Sequence, residues 1–240
     1  TDVDGVYTTD PRIVKQARKI DKISFEEMLE LASLGAKVLQ TRSVELAMAR
    51  GVRLRVLSSF VKDGAPNEGT LVVDEEEIME KQIVSGVAYS RDDAKVTLLG
   101  VESTPGRAAR IFTALAEANI NVDMIVQSDS REKDAANILF SCKQVDVDRT
   151  VAALEALRGE VKFDQIVTDD NVAMVSVVGL GMKSHAGVAG VMFRALAEKG
   201  VNIQAISTSE IKISVLVESE YTELAVRALH AAYGLDVAAA

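Results

Sequence analysis

Two hydrophobic periods run along this chain. Ile211-Lys-Ile213-Ser-Val215-Leu-Val217 places apolar residues at every second position, which predicts a strand with one buried face. Elsewhere the spacing is helical. Val151, Leu154 and Leu157 share one side of a predicted helix over 148–158. Met28, Leu29 and Ala32 give an apolar side to a helix that opens at Ser24. Ser24 followed by Glu27 is a capping box, and Gly35 marks the end of that helix. A second helix is expected over 43–50, stopped by Gly51, then strands over 54–58 and 70–73. Thr1 to Thr9 alternates and turns at Asp4-Gly5, as a hairpin or strand-loop that Asp10-Pro11 ends. Helices interleaved with β-branched runs make residues 1–75 a layered α/β piece. Asp74 to Glu77 then opens a solvated polar linker.

Further on, the pattern repeats itself 81 positions apart. Gly106-Arg-Ala-Ala-Arg-Ile-Phe112-Thr-Ala-Leu115 returns as Gly187-Val-Ala-Gly-Val-Met-Phe193-Arg-Ala-Leu196, and Asn121 returns as Asn202. The period is too long for a solenoid and reads as two copies of one small domain. The first copy, 94–168, has strands over 96–101, 120–127, 137–143 and 161–167, with helices over 107–118 and 148–158. That βαββαβ order is the ferredoxin-like arrangement, an α+β fold. The second copy, 169–240, has strands over 173–178, 201–207 and 211–217, helices over 188–199 and 220–233, and no fourth strand. The β-rich run Ile83–Tyr89, inside the connecting segment 76–93, is expected to cross over and complete the second sheet. A bare edge would leave backbone groups unsatisfied.

Composition narrows the function classes. The 240 residues carry a net charge of -9 with no basic stripe, so no nucleic-acid partner is expected. No apolar run approaches the roughly 20 residues that span a bilayer, and no signal peptide is expected, so no membrane partner is expected either. The single cysteine, Cys142, fits a reducing, cytoplasmic setting and reads as a buried structural thiol. The chain begins at Thr1 without an initiator methionine, as though mid-motif, so an upstream part is expected.

The chemistry concentrates in three places. The turns Glu102-Ser-Thr104-Pro105-Gly106 and Gly181-Met-Lys183-Ser184-His185-Ala-Gly187 each precede a helix. A helix start offers free N–H groups and partial positive charge, which suit a carboxylate. The following strand is expected to bring Asn121 and Asp123, or Asn202, beside that spot to take an amino group. The pair of turns thus reads as two amino-acid pockets. Gly179-Leu-Gly181 fails the dinucleotide fingerprint, because the third glycine position is Ser184. His185 sits in the second turn, and His230 falls on the last helix as a surface or packing residue. Neither has metal-ligand company, so no metal site is expected. The third place is Thr1-Asp-Val-Asp-Gly-Val-Tyr7-Thr-Thr-Asp-Pro-Arg12, with Lys37 following. An arginine and a lysine reaching one loop suit a polyphosphate. On spacing alone, the segment reads as a polar surface hairpin.

Residues 1–12, followed by Phe25-Glu-Glu-Met-Leu-Glu-Leu-Ala-Ser-Leu-Gly-Ala-Lys-Val-Leu39, closely resemble aspartate kinases. The tandem repeat resembles their paired ACT domains, including Gly181-Met-Lys-Ser-His185 and Ile206-Ser-Thr-Ser-Glu-Ile211. The resemblance covers essentially the whole chain and is nearest to the lysine- and threonine-regulated bacterial type. It implies the C-terminal part of a three-layer α/β amino-acid kinase domain, then two ACT domains. It also implies ATP-dependent phosphorylation of the L-aspartate β-carboxylate, which feeds lysine, threonine, methionine and diaminopimelate synthesis. ATP with Mg2+ is the implied co-substrate, with no tightly bound cofactor.

By resemblance, Thr1, Asp2, Tyr7, Arg12 and Lys37 contact the nucleotide. Ser103, Thr104, Pro105, Gly106, Arg107 and Ala108, with Asn121, Val122, Asp123 and Gln127, map to one effector site. Val188, Ala189, Asn202, Ile203, Ser209 and Glu210 map to the other. Lysine and threonine are the implied effectors. A homodimer or hetero-oligomer through ACT domains, sharing pockets across the pair, is the implied assembly. The family's N-terminal glycine-rich lysine motif and aspartate-binding loop are not in these residues, so this chain by itself is expected to be inactive. The competing reading is a non-catalytic ACT sensor or regulatory subunit, which would not need Arg12 and Lys37 beside a nucleotide loop.

Overall fold

The computed structural model describes residues 1–35, 38–60, 68–78, 83–129 and 134–237. The side chain of Lys183 and residues 36, 37, 61–67, 79–82, 130–133 and 238–240 lie outside that description. Two compact units form. One comprises residues 1–90, 174–204 and 208–240; the other comprises 91–173 with 205–207.

The first unit opens with a segment that differs from the expected hairpin. Thr1–Thr9 does not fold on itself at Asp4-Gly5. Instead Tyr7 bridges Lys19, Thr8 N–H donates to Arg18 O at 2.8 Å, and Ile20 N–H donates to Val6 O at 2.8 Å. The turn spans residues 10–17, where Asp10 O accepts from the Ile13 and Val14 N–H groups. Strand β1 (Lys22–Ser24) follows, unanticipated because three residues carry no readable period. Helix α1 (Phe25–Ser33) starts at Ser24 with the full capping box in place. Its buried residues are Phe25, Glu27, Met28 and Leu31 rather than the expected Met28, Leu29 and Ala32. The buried stripe is rotated because Glu27 itself is drawn inside. Helix α2 (Thr41–Ala49), strand β2 (Leu54–Val56) and strand β3 (Thr70–Val73) complete a three-stranded sheet of order β1-β3-β2. In it β1 runs parallel to β3, and β2 antiparallel to β3.

The same unit holds most of the second repeat; residues 172–173 and 205–207 are grouped with the other. Strand β4 (Gly86–Ser90) comes from ahead of the first repeat.

The other unit contains the whole first repeat. It is built from β5 (Asp93–Glu102), α3 (Arg107–Glu117), β6 (Val122–Asp129), β7 (Ala135–Lys143), α4 (Val147–Ala156) and β8 (Gln165–Asp169). Its sheet order is β6-β7-β5-β8, the ferredoxin-like order. Both helices pack on one face, over Val96, Leu98, Ile111, Leu115, Ile138, Phe140 and Leu154. The last strand starts later than expected. Val161 and Phe163 are consumed as core plugs instead, with Arg158 stacked 4.3 Å over the Phe163 ring. Cys142 is a free, buried thiol in the same core, and burial raises its pKa.

In the second repeat, β9 (Val172–Val178), α5 (Val188–Glu198), β10 (Ala205–Thr208), β11 (Lys212–Glu218) and α6 (Thr222–Ala232) follow. Its sheet order is β10-β11-β9-β4. Strand β4 therefore occupies the place that β8 holds in the first repeat, as expected from the missing fourth strand, with Gly86↔Val178 and Ser90↔Met174 in register. All seven residues of β9 are buried. No helix among the described residues is long and apolar enough to cross a membrane.

Candidate functional site

The two helix starts are near-copies of one another. Gly106 caps α3 at φ 91° and Gly187 caps α5 at φ 94°. Only glycine takes that left-handed conformation without strain. Neither helix start has a side-chain cap. The usual reading of such turns, a Ser or Thr oxygen on the first N–H groups, therefore does not apply to either copy. What remains is two outward-facing helix starts at equivalent places.

Their surroundings differ. In the first, Ser103 N–H donates to Asp134 O at 2.7 Å and Thr104 O accepts from Arg107 N–H at 3.3 Å. Arg107 folds back: its guanidinium donates to Glu102 Oε2 at 2.8 Å and to Glu160 O at 2.9 Å. Arg110 also pairs with Glu160. Pro105 and Ala108 are exposed. In the second, the position of Arg107 is taken by Val188, whose carbonyl accepts the Tyr233 hydroxyl at 2.8 Å. Burial pushes the Tyr233 pKa up to about 12, so the phenol stays a donor. His185 Nδ1 lies 2.8 Å from Gly181 O. A carbonyl only accepts, so that nitrogen carries the proton.

The strand residues do not gather where the sequence suggested. Val122 pairs with Cys142, which pairs with Ala94, whereas the α3 start follows Glu102, which pairs with Ala135. Asn121, Val122 and Asp123 thus lie at the opposite end of the sheet from the Ser103–Ala108 turn, about 25 Å away at the rise of a strand. The reason is topological: strands one and two of a βαβ unit run parallel, so the start of the second returns to the start of the first. Gln127, opposite Ile138, lies between the two ends. Asp123 is exposed, and its Oδ1 accepts from Met124 N–H at 2.8 Å beside a register shift. The second repeat is divided likewise. Gly179 N–H donates to Ile211 O at 3.0 Å and Ser209 N–H to Lys212 O at 2.8 Å. Ser209 and Glu210 therefore share the end that carries Gly179. Asn202 and Ile203 precede Gln204, whose N–H reaches Leu216 O, toward the other end.

In the nucleotide candidate, Thr1 Oγ1 donates to Asp2 Oδ1 at 3.1 Å, and both residues are exposed. The Tyr7 hydroxyl donates to Asp4 Oδ1 at 2.9 Å; burial and that carboxylate raise its pKa. Arg12 forms a fork on Asp10, with Nη2 to Oδ2 at 2.7 Å, and holds the Asp10 carboxyl below its ordinary pKa. The Arg12 side chain is 88% exposed, so the pair can open toward a ligand. Lys37 lies outside the described residues. A cleft of about 700 Å³ is lined by Glu26, Asp74, Glu75, Glu76, Ile78 and Leu180. Its carboxylates repel phosphate. Among the described residues, no group of three or more His, Cys, Asp and Glu has the geometry to hold a metal ion.

Of the two readings open for His230, surface or packing, the structure selects packing: it is 1% exposed, and its Nε2 lies 2.9 Å from Thr8 Oγ1. Glu27 was visible as a capping residue, but nothing local signalled its further partners, Ser85 and Leu180.

Comparison with known proteins joins these pieces. The amino acid kinase family profile matches residues 1–58, and ACT domain profiles match 95–161 and 175–233. The chain is 53% identical over 240 residues to a curated aspartate kinase of Pseudomonas putida, covering 100% of this chain and 57% of that protein. It therefore spans little more than half the length of that relative. The structure of the regulatory subunit of aspartate kinase from Thermus thermophilus matches at 39% identity and TM-score 0.60, over 63% of this chain and 99% of that one. E. coli aspartokinase III matches in its complex with aspartate and ADP at 28% identity and TM-score 0.82, over 97% of this chain and 51% of that one. It matches again in its complex with lysine and aspartate at 29% identity and TM-score 0.74, over 97% and 50%. With an amino acid kinase match followed by two ACT matches along its length, and 39% identity to an aspartate kinase subunit that it covers to 99%, the chain belongs to the aspartate kinase family.

Proposed function

We propose that the whole protein phosphorylates the β-carboxylate of L-aspartate with ATP and Mg2+, and that its two ACT domains bind lysine, threonine or both as feedback effectors. The observation that carries the regulatory half is the pair of glycine-capped helix starts, 81 residues apart, that no side chain fills. Each presents amide N–H groups and positive partial charge to a carboxylate. The E. coli relative bound to lysine supports the same class of effector. For the catalytic half, support comes from the whole-chain identity to the Pseudomonas enzyme and from the E. coli relative bound to aspartate and ADP. Phosphoryl transfer is mainly positioning and charge stabilisation. Arg12, released from Asp10, offsets phosphate charge, and Lys37 is the second cation. Thr1, Asp2 and Tyr7 bound the nucleotide. A cytoplasmic setting fits the buried free thiol of Cys142.

Because the helix start and Asp123 lie at opposite ends of one sheet, an effector that uses both draws them from two ACT sheets. A second copy of the chain is the partner that supplies the other sheet, so effector binding and dimerisation are coupled. A regulatory-subunit role is the second reading, favoured by the near-complete coverage of the Thermus regulatory subunit.

The test has two arms. Aspartyl phosphate formation is assayed with the full-length protein and with the 240-residue chain; activity only in the longer protein is expected, and activity in neither supports the regulatory-subunit reading. Calorimetry with lysine and threonine then compares wild type with Asp123→Ala. We expect affinity to fall about tenfold or more with thermal stability unchanged, since one ammonium–carboxylate contact is removed at an exposed site. Equal affinity removes Asp123 from the effector site.

A further inference from the structure

The capping glutamate of α1 is used twice. Its Oε2 closes the capping box, accepting from Ser24 N–H at 3.2 Å and Ser24 Oγ at 3.1 Å. Its Oε1 accepts from Ser85 Oγ and, at 3.1 Å, from the backbone N–H of Leu180. Glu27 is 2% exposed. A capping-box glutamate ordinarily needs one backbone donor at a helix start and stays in water. A carboxylate withdrawn from water is costly unless donors replace the lost hydration. Here four donors converge on it, two from the neighbouring Ser24 and one each from the distant Ser85 and Leu180 segments, and all lie in one compact unit.

The position of the third segment gives this junction its meaning. Leu180 is the first residue beyond Gly179, where the chain leaves β9 for the 3-10 turn Leu180–Lys183 and the α5 start at Gly187. Gly179 is clamped: a Cβ there would come within 2.3 Å of Ile83 O and 2.7 Å of Val84 Cα. Its φ of 174° is ordinary extended backbone, so the glycine serves this close approach. One helical turn beyond Glu27, Glu30 Oε2 pairs with Lys212 Nζ at 2.9 Å. The far end of α1 closes at Leu34, just before Gly35.

We propose that Glu27 is a positioning residue that couples the Gly179–Gly187 turn of the second ACT domain to the start of α1 in the kinase segment. Displacing the turn withdraws the Leu180 N–H. The carboxylate then redistributes among its remaining donors, and the α1 cap loosens with it. The regulatory meaning of this link rests on the effector reading above; the link itself does not.

Hydrogen exchange at single amides tests it on the 240-residue chain, without ligand, in a cycle of Gly179→Ala, Glu27→Gln and the double variant. Gly179→Ala is expected to speed exchange of the first-turn amides of α1 by about tenfold, the effect of weakening one charge-assisted bond. In the Glu27→Gln background the same step is expected to add less than about twofold, because the shared carboxylate is gone. An equal increase in both backgrounds, or a disturbed Leu180 amide with α1 unchanged, overturns the proposal. Should Gly179→Ala fail to fold, Ser85→Ala replaces it: joint acceleration at Leu180 and α1 supports the link, and acceleration at one alone overturns it. Adding lysine and threonine to the wild type is a separate arm. No change at residues 179–187 counts against the effector reading only.

Discussion

His230 shows how a single residue's chemistry is set by its surroundings. Its ring is buried against Thr8, and burial lowers its pKa from the ordinary 6.5; Arg18 adds to that and Asp236 opposes it. The folded protein thus resists a proton that the unfolded chain accepts. As pH falls below about 6.5, the unfolded state binds more protons, so stability is full above that value and is lost on acidification. His230→Gln keeps a polar partner for Thr8 and removes the titration. The fall in Tm between about pH 7.5 and 5.5 is expected to be smaller in the variant than in wild type, by scanning calorimetry. Parallel profiles would show that His230 does not contribute to acid sensitivity. Sequence placed His230 on the correct helix but could not show that the inward face there meets the Thr8 segment, 222 residues away.

At the scale of elements, most of the fold was legible because it is local. The capping box fixed the start of α1 at Ser24, and glycines marked the starts of α3 and α5. The alternation over 211–217 became β11 at Lys212–Glu218. Elements were lost where period gave way to tertiary need. Val161 and Phe163 alternate like a strand yet serve as core plugs, and β1 exists only because β3 runs beside it. On strand β11, Ser214 falls on the face that the alternation left polar, yet it is buried. Ser214 Oγ lies 2.6 Å from Ser176 Oγ of β9, and both residues are buried. Ser176→Ala or Ser214→Ala alone leaves a buried hydroxyl without its partner and is expected to cost about 1–3 kcal/mol. The double variant is expected to cost less than the sum, as measured by denaturant unfolding. Additive losses would mean the hydroxyls are satisfied independently.

On the scale of the whole molecule, the exchange of β4 into the second repeat is the main architectural fact. Strand β4 covers the β9 edge, so the second ACT fold depends on residues that precede the first. A chain shortened to begin at Arg91 exposes Val172–Val178 as a bare apolar edge, whereas one beginning at Ile83 keeps it paired. The shorter chain is expected to aggregate or to lose amide protection across β9, and the longer one to retain it. Equal protection in both would show that another segment replaces β4. The amino-acid sequence alone determined the repeat, the helix starts and the need for a borrowed strand, because these follow from local conformation, period and the count of strands. Tertiary structure alone decided which end of the sheet holds Asp123, that Glu27 reaches Leu180, and that His230 is buried. Those facts depend on strand direction and on contacts between residues far apart along the chain, and no window of sequence encodes a partner that lies outside it.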